Sequence, residues 1–129
     1  MIDHISIPVA DLRAGADFYE KILAGLGYAK LVEREDAVGF GKRYPEIWLN
    51  LRPGRPPSPS GDGHHICLRA RDEAAVQGFF AAALEAGGVS AGEPGPRQAA
   101  MTGYYAAFIE DLDGHRIEAA TFPSVARDA

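Results

Sequence analysis

The sequence contains a single cysteine, Cys67, so an intrachain disulfide is excluded. Ile66 and Leu68 flank it, and we interpret it as a buried thiol rather than a nucleophile. No apolar run is long enough to span a membrane, and no signal peptide is recognisable. Basic residues are scarce too, since 13 Lys and Arg face 18 Asp and Glu. We therefore expect a cytoplasmic protein with no nucleic-acid or membrane partner.

The first part of the chain has the pattern of a strand, a helix and three further strands. Met1 to Val9 alternates between apolar and polar residues, as a half-buried strand does. Asp11 can cap the following helix, which Gly25 or Gly27 can end. Three more strands are predicted over 28–33, 37–41 and 47–52.

After a segment rich in Pro, Gly and Ser, the same pattern starts again. Five residues recur at a constant offset of 61 (65 − 4, for example): His4 and His65, Asp11 and Asp72, Phe18 and Phe79, Leu23 and Leu84, Gly27 and Gly88. A constant offset through a strand, a cap and a helix indicates an internal duplication. We predict one α+β domain over 1–129, with module 1 at about 1–52, a linker at 53–63 and module 2 at about 64–122.

The offset changes near the end of each module. We align Asn50 in the fourth strand with Glu118, at an offset of 68 (118 − 50). The implied insertion is placed at 92–100, which is rich in Gly, Pro and Ala. Strands over 104–110 and 116–121 complete module 2.

Polar residues gather on the sheet face that the helices do not cover. Alternation places six side chains there: His4, Trp48, Asn50, His65, Cys67 and Glu118. Two imidazoles and one carboxylate on three strands form the ligand set of an open divalent-metal site. A simpler reading stays open, in which the histidines are surface residues and Glu118 pairs with Arg69 or Arg116.

Several segments carry a family resemblance: residues 4–12, Phe18-Tyr19, Leu26-Gly27, His65-Ile66 and 111–118. In them the sequence resembles the vicinal oxygen chelate superfamily, which includes glyoxalase I, extradiol dioxygenases, and fosfomycin- and bleomycin-resistance proteins. The resemblance implies paired βαβββ modules that form a cup-shaped, curled mixed sheet with helices on the convex face. It also implies that His4, His65 and Glu118 bind Fe, Mn, Zn or Ni, and that Glu118 takes part in catalysis.

The resemblance also bears on assembly and reaction. Short members commonly form homodimers whose cups are assembled across the subunit interface, so we expect a homodimer with its site at or near that interface. Glyoxalase I-like members place a fourth ligand, a Glu that also acts as a base, where we align Asn50. An amide cannot accept a proton at neutral pH, so lactoylglutathione lyase activity is not expected.

Three hypotheses follow for function. The first is a small metalloenzyme that binds a small substrate through vicinal oxygens, with lyase, dioxygenase and transferase chemistry all open. Its candidate substrate-binding residues are Trp48, Asn50, Arg97, Thr102, Tyr104 and Phe108, with Arg43 an alternative to Arg97 for a carboxylate. The second is a metal-free binding protein of the bleomycin-resistance kind, and the third is a homologue with a vestigial site.

Overall fold

A computed structural model of the chain describes residues 1–58, 63–97 and 103–122. The elements of the first half are β1 (Ile5–Val9), α1 (Leu12–Ala24), β2 (Ala29–Glu33), β3 (Ala37–Gly41) and β4 (Pro45–Leu51). Those of the second half are β5 (Ile66–Arg69), α2 (Glu73–Glu85), β6 (Val89–Pro96), β7 (Tyr105–Glu110) and β8 (Arg116–Thr121). The predicted repetition of β-α-β-β-β is confirmed.

Each half forms a four-stranded mixed sheet with the same topology. The strand orders are β1-β4-β3-β2 and β5-β8-β7-β6. The first and last strands of each half pair in parallel, and the remaining neighbours are antiparallel. The molecule is therefore an α+β fold with an open, curled sheet, as predicted, and β1 and β5 are edge strands.

The two helices begin in the same way and bury one side each. Asp11 and Asp72 are the N-caps, and their carboxylates accept backbone N–H groups three residues on, at 3.0 and 2.8 Å. Both helices contribute to one continuous apolar core through Phe18, Ile22, Leu23, Val76, Phe79 and Ala83. We call the opposite face of each sheet, which points away from the helices, the cup face. No helix within the described residues is long and apolar enough to cross a membrane.

The turn between β7 and β8 ties the two halves together. The hydroxyl of Tyr19 in α1 donates to Asp111, whose other oxygen accepts the N–H groups of Asp113 and His115, both at 2.9 Å. Asp113 in turn accepts the N–H of Ala10 at 3.0 Å. Burial raises the pKa of Tyr19 well above its usual value, and the charge of Asp111 acts in the same direction. The Asp-rich turn thus has a structural role at the junction of the two halves.

The strand register corrects the repeat alignment made from sequence. The offset of 61 makes Ser6 the counterpart of Cys67. Cys67 lies opposite Glu118, whereas Ser6 lies opposite Trp48. Trp48 is therefore the counterpart of Glu118, and the alignment with Asn50 was wrong. One cause is hairpin length, because the path from Phe108 to Glu118 is one residue longer than the equivalent path from Gly39 to Trp48 (118 − 108 against 48 − 39).

The predicted insertion at 92–100 also differs in the structure. Strand β6 continues to Pro96 and pairs with β7, and it absorbs extra residues as irregularities on either side of Gly92. Residues 98–100 lie outside the described part of the chain. The first five residues of the predicted insertion, 92–96, are thus strand, because bulges let a sheet accommodate additional residues without losing its pairing.

Candidate functional site

Glu118 is a carboxylate buried in the middle of β8, on the cup face. Its relative exposure is 1%, which is costly for a charge unless it has partners. One oxygen, Oε1, lies 2.9 Å from Nε2 of His65, and the other, Oε2, accepts a hydrogen bond from the hydroxyl of Tyr104. Both oxygens of the carboxylate are therefore engaged by side chains of the second half.

Cys67 and Phe108 flank Glu118 on the neighbouring strands. Phe108 also contacts the ring of His65, with 5.8 Å between centroids. Cys67 is exposed, so the expectation of a buried thiol was wrong: Ile66 and Leu68 point to the helices, and the thiol points to the cup face of an edge strand. Partial removal from water, with the charge of Glu118, raises the pKa of this thiol to about 12. The protonated form of the Cys67 thiol therefore dominates at neutral pH.

His4 lies apart from this cluster. It precedes β1, its side chain is 53% exposed, and Nδ1 lies 2.7 Å from a carboxylate oxygen of Asp3. It lines a groove of about 410 Å³ together with His65 and Cys67, and Glu118 is not part of this lining. Within residues 1–58, 63–97 and 103–122, no three His, Cys, Asp or Glu side chains are placed to hold one metal ion. The structure thus brings together two of the three predicted ligands.

Nε2 of His65 and Oε1 of Glu118 lie 2.9 Å apart, which is the distance of a direct hydrogen bond. An imidazole nitrogen and a carboxylate oxygen suit Zn, Mn, Fe and Ni alike. Within the described part of the chain these two residues do not by themselves form a divalent-metal site, because such a site takes at least three protein ligands.

The predicted substrate-binding residues of the second half surround Glu118. Tyr104 and Phe108 are half-buried on the cup face, as is the Arg97 side chain, whose guanidinium lies 5.6 Å from the centre of the Phe108 ring. The Arg97 guanidinium also donates to the backbone oxygens of Glu93 and Pro96, so it is fixed in place. Thr102 lies outside the described residues.

The predicted substrate-binding residues of the first half lie on the cup face of the first sheet. Trp48 and Asn50 are both half-buried, and the guanidinium of Arg34 lies 5.1 Å from the centre of the Trp48 ring. Arg43 is exposed in the loop after β3. None of these side chains contacts Glu118, so their roles as substrate ligands stay predictions.

Two features of the second half were missed from sequence. The first is the contact of Tyr104 with Glu118, for which the sequence carries no signal, because Tyr104 precedes β7. The second is Phe122, whose ring lies 4.7 Å from that of Tyr104 and 5.0 Å from the guanidinium of Arg69. Alternation along β8 from Glu118 would have placed Phe122 on the cup face.

A salt bridge of Glu118 with Arg69 or Arg116, pointing out of the cup, would have supported the vestigial hypothesis. Within the described residues Glu118 makes neither pair. Arg69 instead stacks on Phe122, and a carboxylate oxygen of Glu110 lies 3.4 Å from Arg116. Glu118 instead faces the cup with His65 and Tyr104.

The comparisons with known proteins agree with the fold and its cup. The family model of the Glyoxalase/Bleomycin resistance protein/Dioxygenase superfamily matches residues 1–119, so the chain belongs to that superfamily. The resemblance inferred from the sequence motifs is thereby confirmed. No curated protein matches the sequence.

Several solved structures resemble the chain along most of its length. A glyoxalase/bleomycin resistance protein from Albidiferax ferrireducens T118 shares 27% identity at a TM-score of 0.80, over 92% of this chain and 97% of that one. A glyoxalase I mutant from Zea mays shares 19% identity at a TM-score of 0.73, over 97% of this chain and 48% of that one. TioX from Micromonospora sp. ML1 shares 16% at a TM-score of 0.64, over 92% and 93%. The last two likenesses show the fold alone.

Proposed function

We propose that the protein is a divalent-metal enzyme that binds a small substrate through neighbouring oxygens. The observation that carries this proposal is the buried carboxylate of Glu118, held 2.9 Å from the imidazole of His65 at the centre of the cup face. Burying a carboxylate costs free energy unless it has partners, and the chain places His65 and Tyr104 at its two oxygens. His65 and Glu118 would hold the ion, with His4 as the third ligand.

His4 reaches this pair from a second copy of the chain in our proposal. Within the described residues of one chain the three ligands do not converge. His4 is exposed, as are Met1 and Ile2 beside it, which gives this segment an apolar surface suited to a subunit interface. A twofold axis that brings His4 to the partner's cup completes both sites at once, because the contact is reciprocal.

The residues of the cup define what such a site can do. A bound divalent ion would stabilise negative charge on substrate oxygens as a Lewis acid. Phe108 and Tyr104 supply an apolar wall, and Arg97 is placed to pair with a carboxylate on the substrate. Glu118 keeps the negative charge of the ligand set to one, so a net positive charge remains at the reacting oxygens.

Trp48 narrows the class of reaction. It occupies the repeat position of Glu118, so by the corrected register it replaces the fourth ligand and base of glyoxalase I-like enzymes. An indole N–H donates and cannot accept a proton. We therefore favour dioxygenase or transferase chemistry over lactoylglutathione lyase activity.

A metal-free binding protein is the second candidate. It is favoured by the aromatic cluster of Tyr104, Phe108 and Phe122, which could hold an aromatic ligand, and by the fact that both oxygens of Glu118 already have partners. Metal binding separates the two candidates, because the binding protein needs none.

Mixing two variants that have each lost metal binding tests the enzyme proposal. His4→Ala and Glu118→Gln should each bind Mn²⁺ far more weakly than the wild type in isothermal titration. Refolded together as a mixture, they should regain about one site in four, because half of a random dimer population is mixed and each mixed dimer has one intact site. His64→Ala is the matched control and should bind like the wild type.

Three outcomes would count against parts of the proposal. Wild-type protein that binds no Mn²⁺, Zn²⁺, Fe²⁺ or Ni²⁺ at micromolar concentration would exclude the metalloenzyme. Wild-type affinity in His4→Ala would remove His4 from the ligand set. No recovery in the mixture, with both single variants inactive, would show that the ligands come from one chain.

A further inference from the structure

A groove of about 400 Å³ lies where β1, the start of β5 and the turn between β7 and β8 meet. We call it the junction groove. It shares only Ile66 with the groove that His4 and His65 line. Among the described residues its lining contains no acidic side chain and four basic ones, at Arg55, His64, His115 and Arg116. In a chain with a net charge of −5, this groove is a local concentration of positive charge.

Arg55 is the group of the junction groove that lacks a full set of partners. Its Nη2 donates to the hydroxyl of Ser58 at 3.2 Å, whereas Nη1 is buried and has no hydrogen-bond partner within the described residues. No carboxylate in the described part of the chain forms an ion pair with Arg55. Arginine stays charged in proteins, and a buried charged donor without a partner costs free energy. An anion with oxygen acceptors would remove that cost.

The Arg55 side chain is held in place by a series of hydrogen bonds. The backbone oxygen of Pro8 can only accept, so Nε2 of His115 donates to it, at 2.8 Å. In the neutral imidazole Nδ1 is then an acceptor, and it lies 3.3 Å from the hydroxyl of Ser58 that accepts from Arg55. The backbone N–H of Ser58 donates to the backbone oxygen of Asp113 at 2.8 Å. The guanidinium is therefore oriented before a ligand binds, which favours affinity.

The acidic side chains near the turn are engaged elsewhere. Asp111 accepts from Tyr19 and from two backbone N–H groups of its own turn. Asp113 accepts the N–H of Ala10. A carboxylate oxygen of Glu110 lies 3.4 Å from Arg116. None of these three acids neutralises Arg55, so its charge is available to a ligand.

We propose that the junction groove is a second ligand site, which binds the phosphate group of a small molecule through Arg55. A phosphate group carries a charge of about −1.5 to −2 at pH 7 and three strong acceptor oxygens. The planar guanidinium matches the spacing of two such oxygens. A phosphate group alone does not fill the groove, and Ile7 and Ile66 supply an apolar lining for the rest of the molecule.

Titration with inorganic phosphate, at constant ionic strength and with no metal added, tests this site. In histidine side-chain NMR we expect the His115 resonances to shift and to reach a plateau at one phosphate per chain, while those of His4 and His65 stay in place. Arg55→Gln should weaken phosphate binding about tenfold or more, because it removes a charge-assisted hydrogen bond. Arg55→Lys keeps the charge without the planar fork, so its affinity should be intermediate.

Arg52→Gln is the matched control. Arg52 is an exposed arginine of the same segment, outside the lining of the groove, and its guanidinium donates to the backbone oxygen of Leu51 at 2.8 Å. This variant should bind phosphate like the wild type. Wild-type protein with no saturable shift, or wild-type affinity in a folded Arg55→Gln, would overturn the site.

Acetate is the second probe, since a guanidinium also pairs with carboxylates. We expect acetate to bind about tenfold more weakly than phosphate, because it carries a single charge and two oxygens. Equal affinities for acetate and phosphate would overturn the assignment to a phosphate group.

Discussion

The two halves of the molecule build the same sheet and place different chemistry at its centre. At one repeat position, the first half has Trp48 under the guanidinium of Arg34, and the second has Glu118 between His65 and Tyr104. The surrounding ladders are equivalent. Duplication thus supplied a common frame, and the acidic half of the site is present in the second copy alone.

Removing the acid should have the largest effect. Glu118→Gln keeps the size of the side chain but removes its charge and one of its two acceptor oxygens, so we expect metal affinity to fall about 100-fold or more. Isothermal titration with Mn²⁺ measures it. Glu110→Gln is the control, since Glu110 is another acid on the same face that lies beside Arg116. Equal loss in both variants would mean that general negative charge, not Glu118, attracts the ion.

Adding an acidic side chain to the first half should change metal affinity less, and should raise it. Trp48→Glu places a carboxylate at the position equivalent to Glu118, and we expect about tenfold tighter Mn²⁺ binding from the added anionic oxygen. The variant also removes the contact with Arg34, so its melting temperature has to be measured alongside. Unchanged affinity in a folded variant would show that the two repeat positions do not face one site.

Tyr19→Phe tests the junction between the halves. Loss of the hydrogen bond to buried Asp111 should lower the free energy of unfolding by about 1–3 kcal/mol at pH 7. The raised pKa of Tyr19 keeps it protonated in the folded state, whereas an unfolded tyrosine ionises near pH 10. The wild type should therefore lose stability above about pH 10, by up to about 1.4 kcal/mol per pH unit from this group.

Urea unfolding between pH 7 and 11 measures both effects. The variant should lack the alkaline contribution of Tyr19, so the difference between the two proteins should shrink as the pH rises. Tyr44→Phe, at an exposed tyrosine, is the control. A difference that stays constant up to pH 11 would contradict the assignment of the alkaline loss to Tyr19.

The helix ends give the smallest expected effect. The C-cap of α1 is Gly25 and that of α2 is Ala86, at the same repeat offset. Gly25 has helical angles, and a Cβ there would meet no atom within 4 Å. Gly25→Ala should raise the free energy of unfolding by about 0.5 kcal/mol, and Gly27→Ala, at φ +90°, should lower it. If urea unfolding showed that both variants change the free energy of unfolding in the same direction, this account would be contradicted.

The sequence predicted the helices and strands well, because each pattern occurs once in each half of the chain and the two occurrences support each other. Asp11 and Asp72 begin both helices as predicted, and the third strand of the first half matches 37–41 in the structure. Alternation also placed His65 and Glu118 on one face. These features depend on local spacing, which the sequence displays directly.

Other features depend on register and on distant packing. The repeat alignment of Asn50 with Glu118 was wrong because bulges and hairpin lengths shift the register of a strand, and the sequence carries no pattern that reveals such a shift. The burial of Cys67 was wrong because flanking apolar residues do not reveal that an edge strand turns the thiol to the open face. The contact between Tyr104 and Glu118 could not be predicted, because it depends on how far the tyrosine side chain reaches along the sheet face. The assignment of His4 as a ligand stays a prediction.

Histidine side-chain NMR during a Zn²⁺ titration tests the central claim most directly. The chain has four histidines, at positions 4, 64, 65 and 115. The ring-nitrogen resonances of His4 and His65 should shift together, and the shifts should reach a plateau at one Zn²⁺ per chain. The resonances of His64 and His115 should stay in place, and His115 is already hydrogen-bonded to the backbone oxygen of Pro8. Saturation without a shift at His65 would contradict the proposed metal site.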